Sequence, residues 1–450
     1  MEMALNRILN YALFLVCIGI PSFAFAGLDE SFLQAVYDGD TKEAAALLDL
    51  GAELESRTKK GSTALIVASA RGDSEMIRFL LKRGSKVNSR NRYDDTALLL
   101  CSTRGNDSCV KSLIAKEADV NSRNMHGWSP LARAARYGHV GTMRLLIEHG
   151  ANIENQLHDG ATPLLMATGE EHSRAVHLLL EKGANVHAKD YEGNQPILLA
   201  VLTGRADILE ILISKGADPN SKNAFGDPII FLAAERGFAD CVKVLLESGV
   251  DTNFRLQNGW TPLMRAAKFG RVRVAETLIN KGADVNLASK GGATSLMIAS
   301  ERGELEVAKL LVEHQADLNA KSRNGATAVI SAAAGGHEEI VAFLLGKGAE
   351  LRSPINNGST ALMVAAERGH LNTVKILMEQ GADIQARSNK GWTSLMVAAA
   401  GGHIEITRLF LEKGARWDVE SKAGWTALKV AVKLGKKEVA RQLMEAGADR

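Results

Sequence analysis

The sequence predicts an all-α fold: a solenoid of helix–turn–helix units of one fixed length, joined by β-hairpin-like loops. Three observations lead there. Stepping by 33 from Gly259 meets glycine at eleven of the twelve positions between Gly61 and Gly424, with Asp94 the one departure. Within each step two further columns keep register: a small residue, alanine in every case but Cys101, and a second glycine column from Gly72 to Gly435, broken only by Glu171. Finally, GWTPLMRAAKFG at 259–270 restates GWSPLARAARYG at 127–138, four periods earlier. A unit this short cannot bury its own apolar face, so a fixed period of this length implies neighbours stacked over a continuous core.

Each unit can be built in chain order. Thr261 is placed to cap a short helix, and Pro262 fits its first position, where the missing N–H has no intrahelical partner to lose. TPLMRAA is short, apolar and alanine-rich, which suits a helix that packs closely. Gly270 breaks it. VRVAETLINKGADVN then sets apolar residues at i, i+3, i+4 and i+7, an amphipathic second helix closed by Gly282. ADVNLASKGGAT is polar and turn-rich and leads into the next unit. No insertion disturbs the spacing from residue 61 to the end. The segment DESFLQAVYDGDTKEAAALLDLGAE has the helix pair but lacks a preceding hairpin glycine. Residues 27–57 are therefore expected to form an N-terminal capping pair and 58–450 an array of about twelve units. The last unit is expected to act as a C-terminal cap, its outer flank solvated by Lys429, Lys433, Lys436, Lys437, Glu438 and Arg441.

GWTPLMRAAKFG, GHEEIVAFLLGKGAE and LMEQGADIQARSNKG carry a resemblance to the ankyrin repeat, which extends over about residues 28–450. There is one departure. Ankyrin units usually place histidine after the T-P-L turn, whereas here the column runs from Ile66, Leu99 and Ala132 through Met396 to Lys429. Apolar packing is expected to replace the usual side-chain hydrogen bond. The resemblance implies a non-enzymatic scaffold or adaptor whose hairpin tips and short helices line a concave, protein-binding surface.

Carrying that surface over residue by residue selects the site. The residue after the turn glycine is Trp128, Trp260, Trp392 or Trp425 in four units, which accounts for four of the chain's five tryptophans. Two readings stay open for these rings: interface anchors, or packing against the neighbouring hairpin. The pair before the second glycine is Arg136–Tyr137 and Lys268–Phe269 in the two matching units. In every other unit of the later array it reads Glu235–Arg236, Glu301–Arg302 and Glu367–Arg368, with Ala334–Gly335 and Ala400–Gly401 among the units between. This alternation suggests duplication of a two-unit block. The expected protein-binding residues are thus Trp128, Arg136, Tyr137, Arg236, Trp260, Lys268, Phe269, Arg302, Arg368, Trp392 and Trp425. Aromatic anchors beside cations favour a partner with an acidic or aromatic face. Arg133 and Arg265 stand in a column otherwise mostly Val, Leu, Ile or Met. A charge there needs a partner, expected to be a glutamate of a neighbouring unit rather than a ligand carboxylate.

Composition bounds the rest. A net charge of +2 gives no basic footprint for nucleic acid. Residues 8–28 are uncharged, Arg7 precedes them and Ala24-Phe25-Ala26 offers a cleavage site. Residues 1–26 are therefore expected to be a signal peptide, and the chain periplasmic or secreted. An uncleaved N-terminal membrane anchor is the alternative, with Pro21 and Ser22 against it. A secreted effector acting on host proteins and a membrane-tethered scaffold are the functional alternatives. Cys101, Cys109 and Cys241 are expected as buried thiols. The first two lie on the two helices of one unit and could bridge; Cys241 is four units away. No HExxH, phosphate-loop or GxSxG pattern occurs, and neither cofactor, metal nor catalytic set is expected. His139, His172, His337, His370 and His403 form a column expected to bond loop backbone. His126, His158 and Asp159 are expected as solvated loop residues. The chain is expected to be monomeric.

Overall fold

In a computed structural model of the chain, residues 27–447 are described. The segment expected to be a signal peptide, 1–26, lies outside them. Among the described residues are 26 helices and no strands; the only bridges are the isolated pairs Arg57–Thr63 and Ala288–Thr294. Leu28–Asp38 and Thr41–Asp49 open the series, and twelve further pairs follow, from Ala64–Arg71 with Ser74–Lys82 to Ala427–Lys433 with Lys437–Glu445. The chain divides into two compact bodies, one up to Gly226 and one from Asp227. Within each, successive pairs stack as a solenoid, with the first helix of a pair here termed inner and the second outer.

Local chemistry sets the inner helix. The Thr261 hydroxyl accepts the Met264 N–H at 3.2 Å, and Thr96 serves Leu99 in the same way at 3.2 Å. Each thereby satisfies one of the four N–H groups that a helix start leaves open. Gln195 and Pro228, the two departures from this column, supply no side-chain cap. The alanine column is buried throughout, which lets neighbouring inner helices approach closely. Ile66, Leu99, Ala132 and Met264 are buried at the position where histidine is usual, so apolar packing does replace the polar contact. Lys429 in the last unit is exposed.

The backbone follows the repeat even where the residue does not. Asp94, Glu117, Glu171 and Gln315 each stand where sister units have glycine, and each keeps φ between 61° and 67°. Neighbouring units within a body impose the left-handed turn on residues that disfavour it.

Three ladders tie unit to unit. Hairpin tips join through backbone: Asn356 N–H donates to Asn324 O and Asn389 N–H to Asn357 O, both at 2.8 Å. The asparagines Asn253, Asn286 and Asn319 clamp the loop that follows; their Oδ1 atoms accept N–H groups of Asp284, Asp317 and Glu350 at 2.8–2.9 Å. The histidine column forms the third ladder and corrects an expectation. Its Nε2 atoms meet the final turn of the preceding inner helix rather than a loop: His139 reaches Thr103 O at 3.0 Å, His337 reaches Glu301 O at 3.1 Å and His403 reaches Glu367 O at 2.9 Å. A helix end leaves carbonyls without intrahelical donors, and the ring supplies one. Because a carbonyl only accepts, Nε2 carries the proton.

Two further expectations are revised. Cys101 and Cys109 are joined by a disulfide rather than held as thiols; the helix pair brings their Cα atoms to 6.0 Å, within bridging range. Cys241 keeps a buried thiol. The last unit does expose Lys429, Lys433, Lys437, Glu438 and Arg441, but Val432, Leu434 and Met444 are exposed with them. Val432 matches Ala399, which the unit that follows it buries, so this flank is less polar than expected.

Candidate protein-binding surface

The surface is built on the hairpins that carry tryptophan. Each hairpin fixes the indole-bearing backbone by a local acceptor: Asn258 Oδ1 receives Trp260 N–H at 3.0 Å, Ser388 Oγ receives Trp392 N–H at 3.0 Å and Ser421 Oγ receives Trp425 N–H at 3.1 Å. The inner helix then returns the residues five and eight positions later over the ring. These two are three apart on a helix and so share a face. Arg133 and Arg136 lie 4.3 and 5.2 Å from the Trp128 ring centre. Arg265 and Lys268 each lie 5.8 Å from that of Trp260, and Lys433 lies 4.6 Å from that of Trp425. The chain's own cations thus occupy the faces of three rings.

Of the two readings open for the tryptophans, Trp128 takes packing. It is only 9% exposed and packs in a cluster with Leu99, Leu100 and Leu157. Two arginines over the ring and a leucine from the following hairpin close it off. Trp260, Trp392 and Trp425 remain partly exposed.

Charge pairing follows the expected pattern at Arg265. Its guanidinium meets Glu235, a residue of the preceding unit, at 3.1 Å. Arg136 meets Glu170 at 3.4 Å. Tyr137 stacks on His139 with ring centres 6.1 Å apart, and Lys268 lies 5.0 Å from the Phe269 ring centre. Burial pushes the His139 imidazole below its ordinary value. Arg236, Arg302 and Arg368 are exposed on separate units, and Arg368 also donates to Ala334 O at 3.1 Å. The expected residues therefore form distinct groups: Trp128, Arg136 and Tyr137 in the first body; Trp260, Lys268 and Phe269 in the second; Trp392 and Trp425 each on its own hairpin.

Other exposed anchors escaped the sequence reading. Phe225 is 91% exposed, Tyr191 76%, and Met125 is exposed as well, all at hairpin tips of the first body. The signal was present: the column two before the turn glycine is mostly polar, and Met125 and Tyr191 depart from it. Also in the first body, Arg205 bonds Asp207 at 2.7 and 2.9 Å and donates to Glu171 O at 2.7 Å. These bonds to Arg205, with help from Ser173, hold the Asp207 carboxyl down to about 2. Among the described residues, no three His, Cys, Asp or Glu side chains gather as a metal site, and no helix is long and apolar enough to cross a membrane.

The chain matches the family model described as Ankyrin repeats (3 copies) in overlapping stretches, 32–124, 83–156, 104–190, 131–223, 197–289, 230–322, 296–388 and 384–450. A comparison with curated proteins gave no match. Helix pairs at one fixed period, left-handed turns at the glycine columns and this near-continuous match agree, and the chain belongs to the ankyrin-repeat family.

Proposed function

We propose that this protein is a non-enzymatic scaffold or adaptor that binds a protein partner through its hairpins and inner helices. Ankyrin repeats generally mediate protein–protein interaction. The observation that carries the reading for this chain is the group Trp260, Lys268 and Phe269. All three are partly exposed on one hairpin and inner helix, already held in place by ring and charge contacts. Anchors fixed before binding lose little side-chain entropy when a partner arrives. Export through residues 1–26, to the periplasm or beyond, belongs to the same proposal. The uncharged run with its Ala24-Phe25-Ala26 ending supports it, as does the Cys101–Cys109 disulfide, which suits an oxidising compartment.

The test is a crosslinked capture from the cell of origin, comparing the wild type with a Trp260→Ala, Lys268→Ala, Phe269→Ala variant of native helicity. Capture of a partner by the wild type and its loss from the variant is expected. Equal capture by both would place the binding surface elsewhere. Amino-terminal sequencing of the exported chain should begin at Gly27; an intact segment 1–26 would overturn the cleavage reading.

A further inference from the structure

Trp392 repeats the setting of Trp260 four units later, with several substitutions, two of which remove a cation from the inner helix. Glu235, the glutamate that pairs with Arg265, has its counterpart in Glu367. The two cations over the Trp260 ring, Arg265 and Lys268, have as counterparts Val397 and Ala400. The second body therefore contains one unit with ring, carboxylate and two cations from the inner helix, and another with ring and carboxylate but neither of those two cations. Where the cations are missing, a cavity of about 560 Å³ opens, lined among others by Trp392, Val397, Ala400, Glu367, Ser359 and Lys390. Among the described residues, no cation lies over the Trp392 ring, and Glu367 forms no ion pair.

We infer that this cavity receives an arginine side chain of the partner protein. The sister unit shows what its walls accept: a guanidinium over the indole with a carboxylate from the preceding inner helix beside it. Stacking on an aromatic face and pairing with a carboxylate are the two interactions a planar guanidinium makes best. Small residues at 397 and 400 leave the space that Arg265 and Lys268 fill at Trp260. Lys390 is exposed and lines the cavity, and its ammonium opposes the incoming charge. Its replacement by glutamate should strengthen binding. The inference rests on the protein-binding reading above and specifies the chemistry at one hairpin.

The test uses the full chain labelled with 5-fluorotryptophan. Its five tryptophans give fluorine signals assignable by single Trp→Phe substitutions. The probe is acetyl-Gly-Arg-Gly-amide, with the neutral citrulline peptide as control. Saturable movement of the Trp392 signal by the arginine peptide is expected, with the citrulline peptide weaker by about fivefold, the size of one exposed cation–π contact. Glu367→Gln should weaken the arginine peptide, and Ala400→Lys should abolish the response by placing the protein's own ammonium on the ring, as Lys268 does on Trp260. A citrulline peptide equal to arginine, a Trp392 signal that never moves, or an Ala400→Lys variant that responds like wild type would each overturn the inference. Failure here separates from failure of the scaffold reading. If arginine binds at Trp392 while the wild-type chain captures no protein, the cavity stands and the scaffold reading falls. If a partner is captured equally by wild type and Ala400→Lys, the reverse holds.

Discussion

The left-handed turn after each outer helix offers a reciprocal test. Gly282 and Gln315 occupy the same place in neighbouring units. Their φ angles are 87° and 64°, and both turns are closed in the same way: Gly282 N–H reaches Ile279 O at 2.9 Å, and Gln315 N–H reaches Val312 O at 3.1 Å. A Cβ at Gly282 would meet nothing within 4 Å, so Gly282→Ala isolates the backbone term. The left-handed conformation costs a residue with a Cβ about 1–2 kcal/mol, while the glycine gives back about 0.5–1 kcal/mol through its freer unfolded chain. Gly282→Ala should thus destabilise its unit, and Gln315→Gly stabilise its own, each by about 0.5–1 kcal/mol. Among the described residues the exposed Gln315 side chain takes no hydrogen bond, and the Asn286 amide contacts only its carbonyl, at 3.2 Å, which glycine keeps. Arrays of repeats can unfold in segments, so a single global midpoint is the wrong readout. Hydrogen exchange of the two outer helices, Val272–Asn280 and Leu305–Glu313, reads each unit by itself. Exchange in Leu305–Glu313 should slow by about two- to fivefold in Gln315→Gly and rise by a similar factor in Val272–Asn280 of Gly282→Ala. Changes of the same sign in both helices would refute the argument that the stack, not the residue, sets this turn.

Two other outcomes follow from the first body. Arg104 separates the bridged cysteines, so a non-reducing tryptic map should show Tyr93–Arg104 joined to Gly105–Lys111. Reduction should destabilise the unit by about 2.5 kcal/mol through a loop of this length, and separate peptides in the oxidised sample would refute the bridge. Asp207 sits at about 2 against an ordinary 3.8, so the folded state keeps the carboxylate where the unfolded chain takes up a proton. The stability it contributes is present above about 3.8 and is lost as pH falls toward about 2. Wild type should therefore lose more urea resistance than Asp207→Asn across that window, by less than about 1 kcal/mol because the pair is half exposed; equal slopes would refute the assignment.

Much of this molecule was legible in the chain itself. Period alone determined the helix pairs, because each unit repeats one cap, one apolar stripe and three turn positions, and those are local requirements. It also marked Arg265 as needing a glutamate, since a charge in an apolar column cannot stay unpaired. What the sequence left open depended on distances between units. Trp128 and Trp260 share a column, a flanking glycine and matching cations, yet one is buried and the other partly exposed, because the neighbouring hairpin supplies Leu157 only to the first. The histidines were recognisable as a column, but their acceptor is a helix end in the preceding unit. Cys101 and Cys109 were recognisable as neighbours, but only the packing of their two helices set the separation that permits a bond. Val397 and Ala400 read as ordinary small helix residues; they became informative when the fold placed Trp392 and Glu367 around the space they leave. Sequence determined the outline of the unit, because every period carries the same cap, apolar stripe and turn positions, even though the unit needs its neighbours to bury that stripe. Tertiary structure decided what each copy of the unit does, because a residue's role there depends on what the adjoining copy presents to it.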